Sequence, residues 1–391
     1  MTKIDFEWFS SQKFVYEEKG SITASIEIAI VEKTRLVKFD CSLIDKPKIK
    51  ELIATILTSG CGSCVRTLIP EHNQVIFEAF RESGFIQYNK DIGNFTINAG
   101  TRASYWSFNK EFLLSPRLNL AFIPLWEKDV VFRAATGIYY QSPFYRELRN
   151  LEGELNPDIE SQKSTHFVLG SDYLFYSWGR PFKLISEVYY KDLQNLIPYK
   201  VDNVRIQYLA ENNSNGYATG VDLKINGEFV TGVESWASLS VMQTMEDIED
   251  DFYIDEETGE TIYPGFIPRP TDQRVNFSLF FQDYLPGNPN YKMHLSMMYG
   301  TGLPFGPPKS DKYQDILRMP DYRRVDIGFS AVIKAEDKKS KVNFLNKLNS
   351  MWISVEVFNL LDIDNTVSYL WVSDVSGRQY AVPNYLTPRQ L

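Results

Sequence analysis

Cysteine is almost missing: the chain has three, Cys41, Cys61 and Cys64, all near one end. That excludes a disulfide-stapled scaffold. Cys61 and Cys64 form a C-x-x-C pair. The pair follows a helix-like stretch rather than opening a helix after a strand, where a helix dipole would lower a thiolate pKa. Zinc would need two more ligands, and histidine is as scarce as cysteine, with His72 alone nearby. No apolar run approaches the roughly eighteen residues of a transmembrane helix, which leaves a β-barrel untouched. The opening Met1-Thr-Lys-Ile-Asp-Phe-Glu-Trp8 has neither the basic nor the apolar region of a secretory signal. Basic charge is also short, with 41 Lys and Arg against 50 Asp and Glu, net −9. A nucleic-acid partner is therefore not expected. Walker and dinucleotide glycine motifs are absent, and so is a nucleophile elbow. Nothing in the chain asks for a cofactor, and its β-rich part does not read as an enzyme.

Aromatics are plentiful, at 14% with 26 Phe and 23 Tyr. They suit strands and membrane-interface girdles better than a helical bundle. Residues 1–83 read as a small α/β segment. Residues 21–31 alternate like a strand. Residues 48–57 space Ile49, Leu52, Ile53 and Ile56 helically behind Pro47, and 65–69 form a short strand. Residues 73–80 predict a second helix, closed by a C-cap at Ser83-Gly84.

From 84 to 391 the texture changes to alternation in segments of roughly ten residues. Val130, Phe132, Ala134, Ile138 and Tyr140 oppose Arg133, Ala135 and Gly137. Phe167, Leu169, Tyr173 and Phe175 oppose His166, Gly170 and Asp172. Phe182, Leu184, Val188 and Tyr190 oppose Lys183, Glu187 and Lys191. Similar segments follow around residues 275–282, 291–299, 324–333 and 351–357. Tyr140, Tyr190, Tyr291 and Tyr299 mark the ends of apolar faces, as in an interfacial girdle.

Connections alternate short and long. The short ones read as 125–128, 178–180 and Asn226-Gly227-Glu228; the long ones as 141–163, 245–271, 302–322 and 362–382. In an up-and-down order all the long ones fall on one side, as in outer-membrane barrels. A long connection at 334–349 breaks the pattern. A soluble antiparallel β protein with one wet face explains the alternation but not the segregated loops.

Four motifs then resemble TonB-dependent outer-membrane receptors of the Bacteroidetes type. They are Arg133-Ala-Ala-Thr-Gly-Ile-Tyr-Tyr-Gln-Ser-Pro-Phe-Tyr-Arg-Glu-Leu-Arg149, Asn215-Gly-Tyr-Ala-Thr-Gly-Val-Asp-Leu-Lys224, Met319-Pro-Asp-Tyr-Arg-Arg-Val-Asp-Ile-Gly328 and Val357-Phe-Asn-Leu-Leu-Asp-Ile-Asp-Asn-Thr366. Residues 380–391 resemble the entry into that family's last strand. The resemblance implies a partial transmembrane antiparallel β-barrel of about 12–13 strands, mainly β, in contact with outer-membrane lipid. The family's barrels have about twenty-two strands around a plug, so 84–391 read as the C-terminal half of a barrel without plug or energy-coupling box. The implied function is energised uptake of a ferric siderophore, cobalamin or oligomeric nutrient, with the TonB energy-coupling complex as partner. Such a part would be inactive alone. Asn73-x-x-x-Phe77-x-Ala79-Phe80-x-x-x-Gly84-Phe85 faintly resembles the C-terminal part of GNAT-type acetyltransferases, without their glycine-rich phosphate turn. An acyltransferase-like segment fused to a β-rich extension, and a soluble β-rich binding protein, are the alternatives.

Two loops carry candidate ligand residues. Phe144, Tyr145, Arg146 and Arg149 combine rings and guanidinium groups that could stack on or pair with an anionic organic ligand. Asp247, Glu249 and Asp251 have alternate spacing in an acidic stretch, but the glycine of an EF-hand loop is missing. No metal site is expected there, and a solvated acidic loop is the plainer reading.

Overall fold

The structure is a computed structural model. It describes residues 12–18, 22–28 and 81–391 except 151–152, 203–204, 231, 256–257, 286–287, 307–316, 337–346, 377, 387 and 391. The helices expected at 48–57 and 73–80, the strand at 65–69 and all three cysteines lie outside the described residues.

The described chain is nearly all strand. β1 (Gln12–Glu18) and β2 (Ile22–Ile28) precede β3 (Arg81–Ile92), β4 (Phe95–Trp106), β5 (Glu111–Phe122), β6 (Asp129–Gln141), β7 (Gln162–Ser177) and β8 (Arg180–Leu196). The short β9 (Tyr199–Asp202) and β10 (Arg205–Tyr208) form a hairpin before β11 (Ser214–Val230) and β12 (Val233–Ile248). Three two-residue strands follow: β13 (Tyr253–Ile254), β14 (Thr261–Ile262) and β15 (Ile267–Pro268). Then come β16 (Val275–Leu285), β17 (Asn288–Gly300), β18 (Pro304–Phe305), β19 (Leu317–Arg318), β20 (Tyr322–Lys334) and β21 (Met351–Val357). A separate hairpin of β22 (Thr366–Ser373) and β23 (Gln379–Tyr385) follows.

The long strands make one open antiparallel meander, β1-β2-β3-β4-β5-β6-β7-β8-β11-β12-β16-β17-β20-β21. From β3 to β21 the path holds twelve strands, in line with the alternation read from sequence. β2 pairs with β3, which runs through Ser83 and Gly84. The expected C-cap is therefore strand interior: Ser83 and Gly84 face Ser104 and Ala103 across the ladder, and Ile86 and Tyr88 continue an alternating face.

Register sorts the two faces. Ala134 lies opposite Leu169, Leu169 opposite Val188, Val188 opposite Val221, Val221 opposite Val241, and Val241 opposite Val275. One residue along each strand, Arg133, Gly170, Glu187, Asp222, Ser240 and Asn276 form the adjoining row. Successive strand side chains point to opposite faces, so one row is an apolar belt and the other a polar band behind it. The belt is uncovered: Leu169 is 66% exposed and Val188 54%. An apolar belt of that extent suits hydrocarbon, not water.

The polar band is cross-linked. Arg133 reaches Asp172 at 2.6 Å and Glu187 at 3.0 Å, and Lys183 meets Asp172 at 2.8 Å. Gly170 lies between Arg133 and Glu187, and a Cβ there would crowd the Glu187 side chain at 3.2 Å. Its missing side chain lets the guanidinium span β7.

Most of the turns are where the sequence puts them. Trp178 and Gly179, both at positive φ, link β7 and β8 in the left-handed conformation that two-residue hairpins need. Asn226-Gly227-Glu228 is a correction: these residues lie inside β11, and the connection falls at 231–232, with Gly232 at positive φ. Gly227 serves the neighbouring strand instead, since a Cβ there would lie 2.6 Å from the Phe182 ring. That ring is buried between Phe175 and Phe229. The long connections gather at the opposite end of the sheet, where 142–161, 197–213, 249–274 and 301–321 all emerge. The 335–350 connection remains the exception.

The 380–391 segment, expected as the entry into a last strand, first completes a hairpin. Residues 379–385 are the second arm of the β22–β23 hairpin, and Gln390 then bridges Phe358 just past β21. Two of the quoted motifs meet beside it. Asp326 accepts from Arg324 at 2.7 Å and from the Asn359 amide at 2.8 Å, while the Asn365 side chain brackets the Arg323 backbone.

Candidate functional site

Among the described residues, the buried apolar cluster is not between the sheet's faces but at its outer-loop end. Trp106, Leu148, Ile159, Ile197 and Ala210 pack together, with Phe108, Leu155 and Tyr208 against them. Polar side chains satisfy the loop backbone around this core. Glu111 accepts from the Ser161 hydroxyl at 2.5 Å, Asn109 donates to the Ile159 carbonyl at 2.9 Å, and Asn156 donates to the Ala210 carbonyl at 2.7 Å. Asn212 ties the Glu160 and Asn195 carbonyls at 3.0 and 2.9 Å. Three connections are thereby tied into one cap, whose buried backbone groups find the partners they need.

Beside this cap, at the outer end of the polar face, lies a cleft of about 490 Å³. The end of β6 supplies Tyr139, that of β7 Lys163 and His166, and that of β8 Leu193 and Leu196. The cap supplies Glu147, the β9–β10 hairpin Tyr199 and Tyr208, and the segment after β15 Arg269. Tyr139 stacks on His166 at 4.3 Å between centroids, with the Arg117 guanidinium 4.6 Å over its ring. Tyr199 and Tyr208 face each other across the hairpin register at 5.7 Å. Arg269 is held 3.4 Å from Glu246, a carboxylate with no solvent exposure. Burial pushes the Glu147 carboxyl up, against the pull of the Phe144 amide that donates to it at 2.8 Å. Burial also raises the Tyr199 phenol, opposed by Arg269. The cleft thus combines phenol rings, an arginine held against a buried carboxylate, and the Glu147 carboxyl that burial pushes up.

Phe144, Tyr145, Arg146 and Arg149 are exposed on the cap's outer surface; the same loop buries Glu147 and Leu148. Arg149 donates to the Gly153 carbonyl at 3.3 Å. Asp247 lies next to the end of β12, opposite Asn215, and Glu249 accepts from Asn215 at 3.1 Å. Asp251 is pushed up by burial and by Asp247. Among the described residues, no three His, Cys, Asp or Glu come together as a metal-binding group. The cleft's own residues escaped sequence reading because Tyr139, Tyr199, Tyr208 and Arg269 are joined only by register and loop packing. The run of Tyr, Lys and His at the outer ends of consecutive strands was the available signal.

A sheet with an uncovered apolar belt, a charged reverse face and its long loops at one end is the wall of an outer-membrane β-barrel. The chain belongs to the family described as TonB dependent receptor-like, beta-barrel, which matches residues 71–360. It is a receptor barrel of the outer membrane and not an enzyme. Solved structures agree on the fold. The outer membrane transporter YddB of Escherichia coli aligns with a TM-score of 0.56 at 12% identity, over 80% of this chain and 44% of that one. The ferric-catecholate import receptor Fiu of Escherichia coli aligns at 0.56 and 11%, over 97% and 52%. The ferric enterobactin receptor of Pseudomonas aeruginosa, solved with enterobactin, aligns at 0.52 and 16%, over 80% and 44%. This chain spans about half the length of these structures. A comparison with curated proteins gave no match. These matches lend no support to the acetyltransferase likeness or to the Bacteroidetes subdivision.

Proposed function

We propose that this chain forms wall and outer loops of a receptor that takes up a ferric siderophore, cobalamin or an oligomeric nutrient across the outer membrane. The observation that carries this reading is the cleft, which opens at the end where the long loops gather. A concave site lined by rings and a few placed polar groups, beside a hydrogen-bonded cap, is the kind of hollow that binds a small ligand. Phe144, Tyr145, Arg146 and Arg149 would meet ligand at the rim, and Asp247, Glu249 and Asp251 would flank it. Energy would come from a TonB-type complex acting on a plug inside the barrel, as the family resemblance implies. The four quoted motifs support a place near receptors of the Bacteroidetes type.

The test is ligand binding by the full chain in lipid nanodiscs, followed by intrinsic fluorescence. Ferric enterobactin, cobalamin and maltohexaose are the probes. Saturable quenching by one of them, weakened at least fivefold by Tyr199→Ala, is expected. Quenching by none, or quenching indifferent to Tyr199→Ala, would overturn the reading.

A further inference from the structure

The chain leaves β8 and returns to β11 through two residues of left-handed backbone, Asn195 at φ 54° and Ala210 at φ 58°. Asparagine visits that conformation readily, because its short polar side chain bonds locally. Alanine does not, because its Cβ crowds the following carbonyl. Ala210 is held there all the same, 1% exposed, with its methyl in the buried cluster of the cap. Strain of this kind persists only where the surroundings over-determine it.

Between these two feet stands the β9–β10 hairpin. It forms its own two-stranded sheet, apart from the large one. Its neck is closed by the Leu209 amide, which donates to the Pro198 carbonyl at 3.1 Å. Tyr199 and Tyr208 face each other just beyond the neck and, with Ile206, make one wall of the cleft.

What fixes the hairpin in this position comes from outside it. From the cap, Asn156 donates to the Ala210 carbonyl at 2.7 Å. On the far side, the Tyr199 hydroxyl is hydrogen-bonded with the Thr271 side chain, in the segment after β15. One link thus holds a strained foot, and the other holds the wall itself.

We propose that β9–β10 is a strap that swings on Asn195 and Ala210 to open and close the cleft, latched by Asn156 and by the Tyr199 hydroxyl. A change of φ and ψ at one or two residues redirects a whole hairpin, which is how hinges work. Lifting the strap lets Ala210 return to ordinary backbone, while the Asn156 bond and the buried methyl favour the latched position. The opposed terms make the element bistable. The proposal rests on the receptor reading for what the strap encloses: ligand enters with the strap lifted and is retained with it down.

The test is the distance between spin labels at 205 on β10 and 119 on the β5 wall, both exposed positions, by pulsed electron paramagnetic resonance. The full chain is used in nanodiscs, with Cys41, Cys61 and Cys64 replaced by serine. Asn156→Asp removes the donor to Ala210 but keeps the acceptor that holds the Asp158 amide at 3.0 Å. Tyr199→Phe removes the second latch and keeps the ring. Wild type should be dominated by one short distance. Each variant should raise the share of a longer distance at least threefold, and the double variant should raise it further. A second pair, at 119 and 158, reports on the cap and should stay unchanged throughout. The same 205–119 distribution in wild type and all variants would overturn the proposal. So would broadening of the 119–158 pair in step with it, since the links would then only hold the cap together. No ligand enters this experiment, so a strap that never moves leaves the receptor reading standing. Failure of every ligand to quench fluorescence leaves the strap's motion standing.

Discussion

Leu295 sits near the middle of β17, opposite Phe281 and Ile327 on the apolar face. Its neighbour His294 faces the other way, opposite Gln282 and Gly328. If the apolar face meets lipid, Leu295→Arg carries a guanidinium to the bilayer midplane, at a cost of about 2–4 kcal/mol. Tyr291 is on the same face four residues earlier. At about 3.4 Å per residue and a tilt near 40°, that step changes depth by roughly 10 Å and reaches the interface. Tyr291→Arg should therefore cost about 0–1 kcal/mol. His294→Arg keeps its charge in the polar lumen. It loses the ring that covers Gly328 and lies 5.9 Å from the Phe280 ring, contacts together worth about 1 kcal/mol. The assay is urea unfolding in lipid vesicles, followed by heat-modifiable mobility. The expected order is Leu295 well above His294 and Tyr291. Equal costs at positions 294 and 295, or the largest cost at 291, would refute the face assignment.

Gly227→Val should lower stability by about 1–3 kcal/mol, because its Cβ meets the Phe182 ring at 2.6 Å and the Pro181 carbonyl at 2.7 Å; thermal loss of heat-modifiability reads this out. Arg133→Ala should cost about 1 kcal/mol, small because the side chain is 40% exposed, and a double-mutant cycle with Glu187→Gln should show most of that as coupling. Burial raises the Glu147 carboxyl in the folded cap, so its contribution is full below the ordinary carboxylate range and lost as pH rises through the raised value. Hydrogen exchange of peptides covering 142–161, corrected for intrinsic rate, should therefore quicken with pH, and Glu147→Gln should remove that dependence.

The barrel wall was legible because period-two alternation survives in every strand, as in Val188 beside Glu187. The long loops at 141–163, 245–271 and 302–322 were legible as gaps between alternating runs, and their shared side followed from up-and-down order; the connection at 197–213 was not read, and 362–382 holds the β22–β23 hairpin. Gly227 was misplaced because asparagine–glycine is a turn signal by local rules. Only the neighbouring strand shows that its hydrogen accommodates Phe182. Ser83-Gly84 misled in the same way, since a glycine after an apolar run reads as a cap until a pairing partner is known. The cleft was least legible. Tyr139 and Arg269 are 130 residues apart, and what joins them is the register from β6 through β12 and the short β15 pairing. Phe144, Tyr145, Arg146 and Arg149 stood out as a local cluster. The packing turned Glu147 and Leu148 inward from that loop and left the cluster on its surface.

The central claim is that each strand has one face in lipid and one toward water. Site-directed spin labels at 184–190 of β8 measure it directly, in the full chain reconstituted into bilayers with Cys41, Cys61 and Cys64 replaced by serine. Collision rates with oxygen, which concentrates in lipid, and with a water-soluble nickel chelate are recorded at each position. The account predicts a period of two: oxygen dominates at 184, 186, 188 and 190, and nickel at 185, 187 and 189. Nickel access at every position, or no alternation, would contradict it.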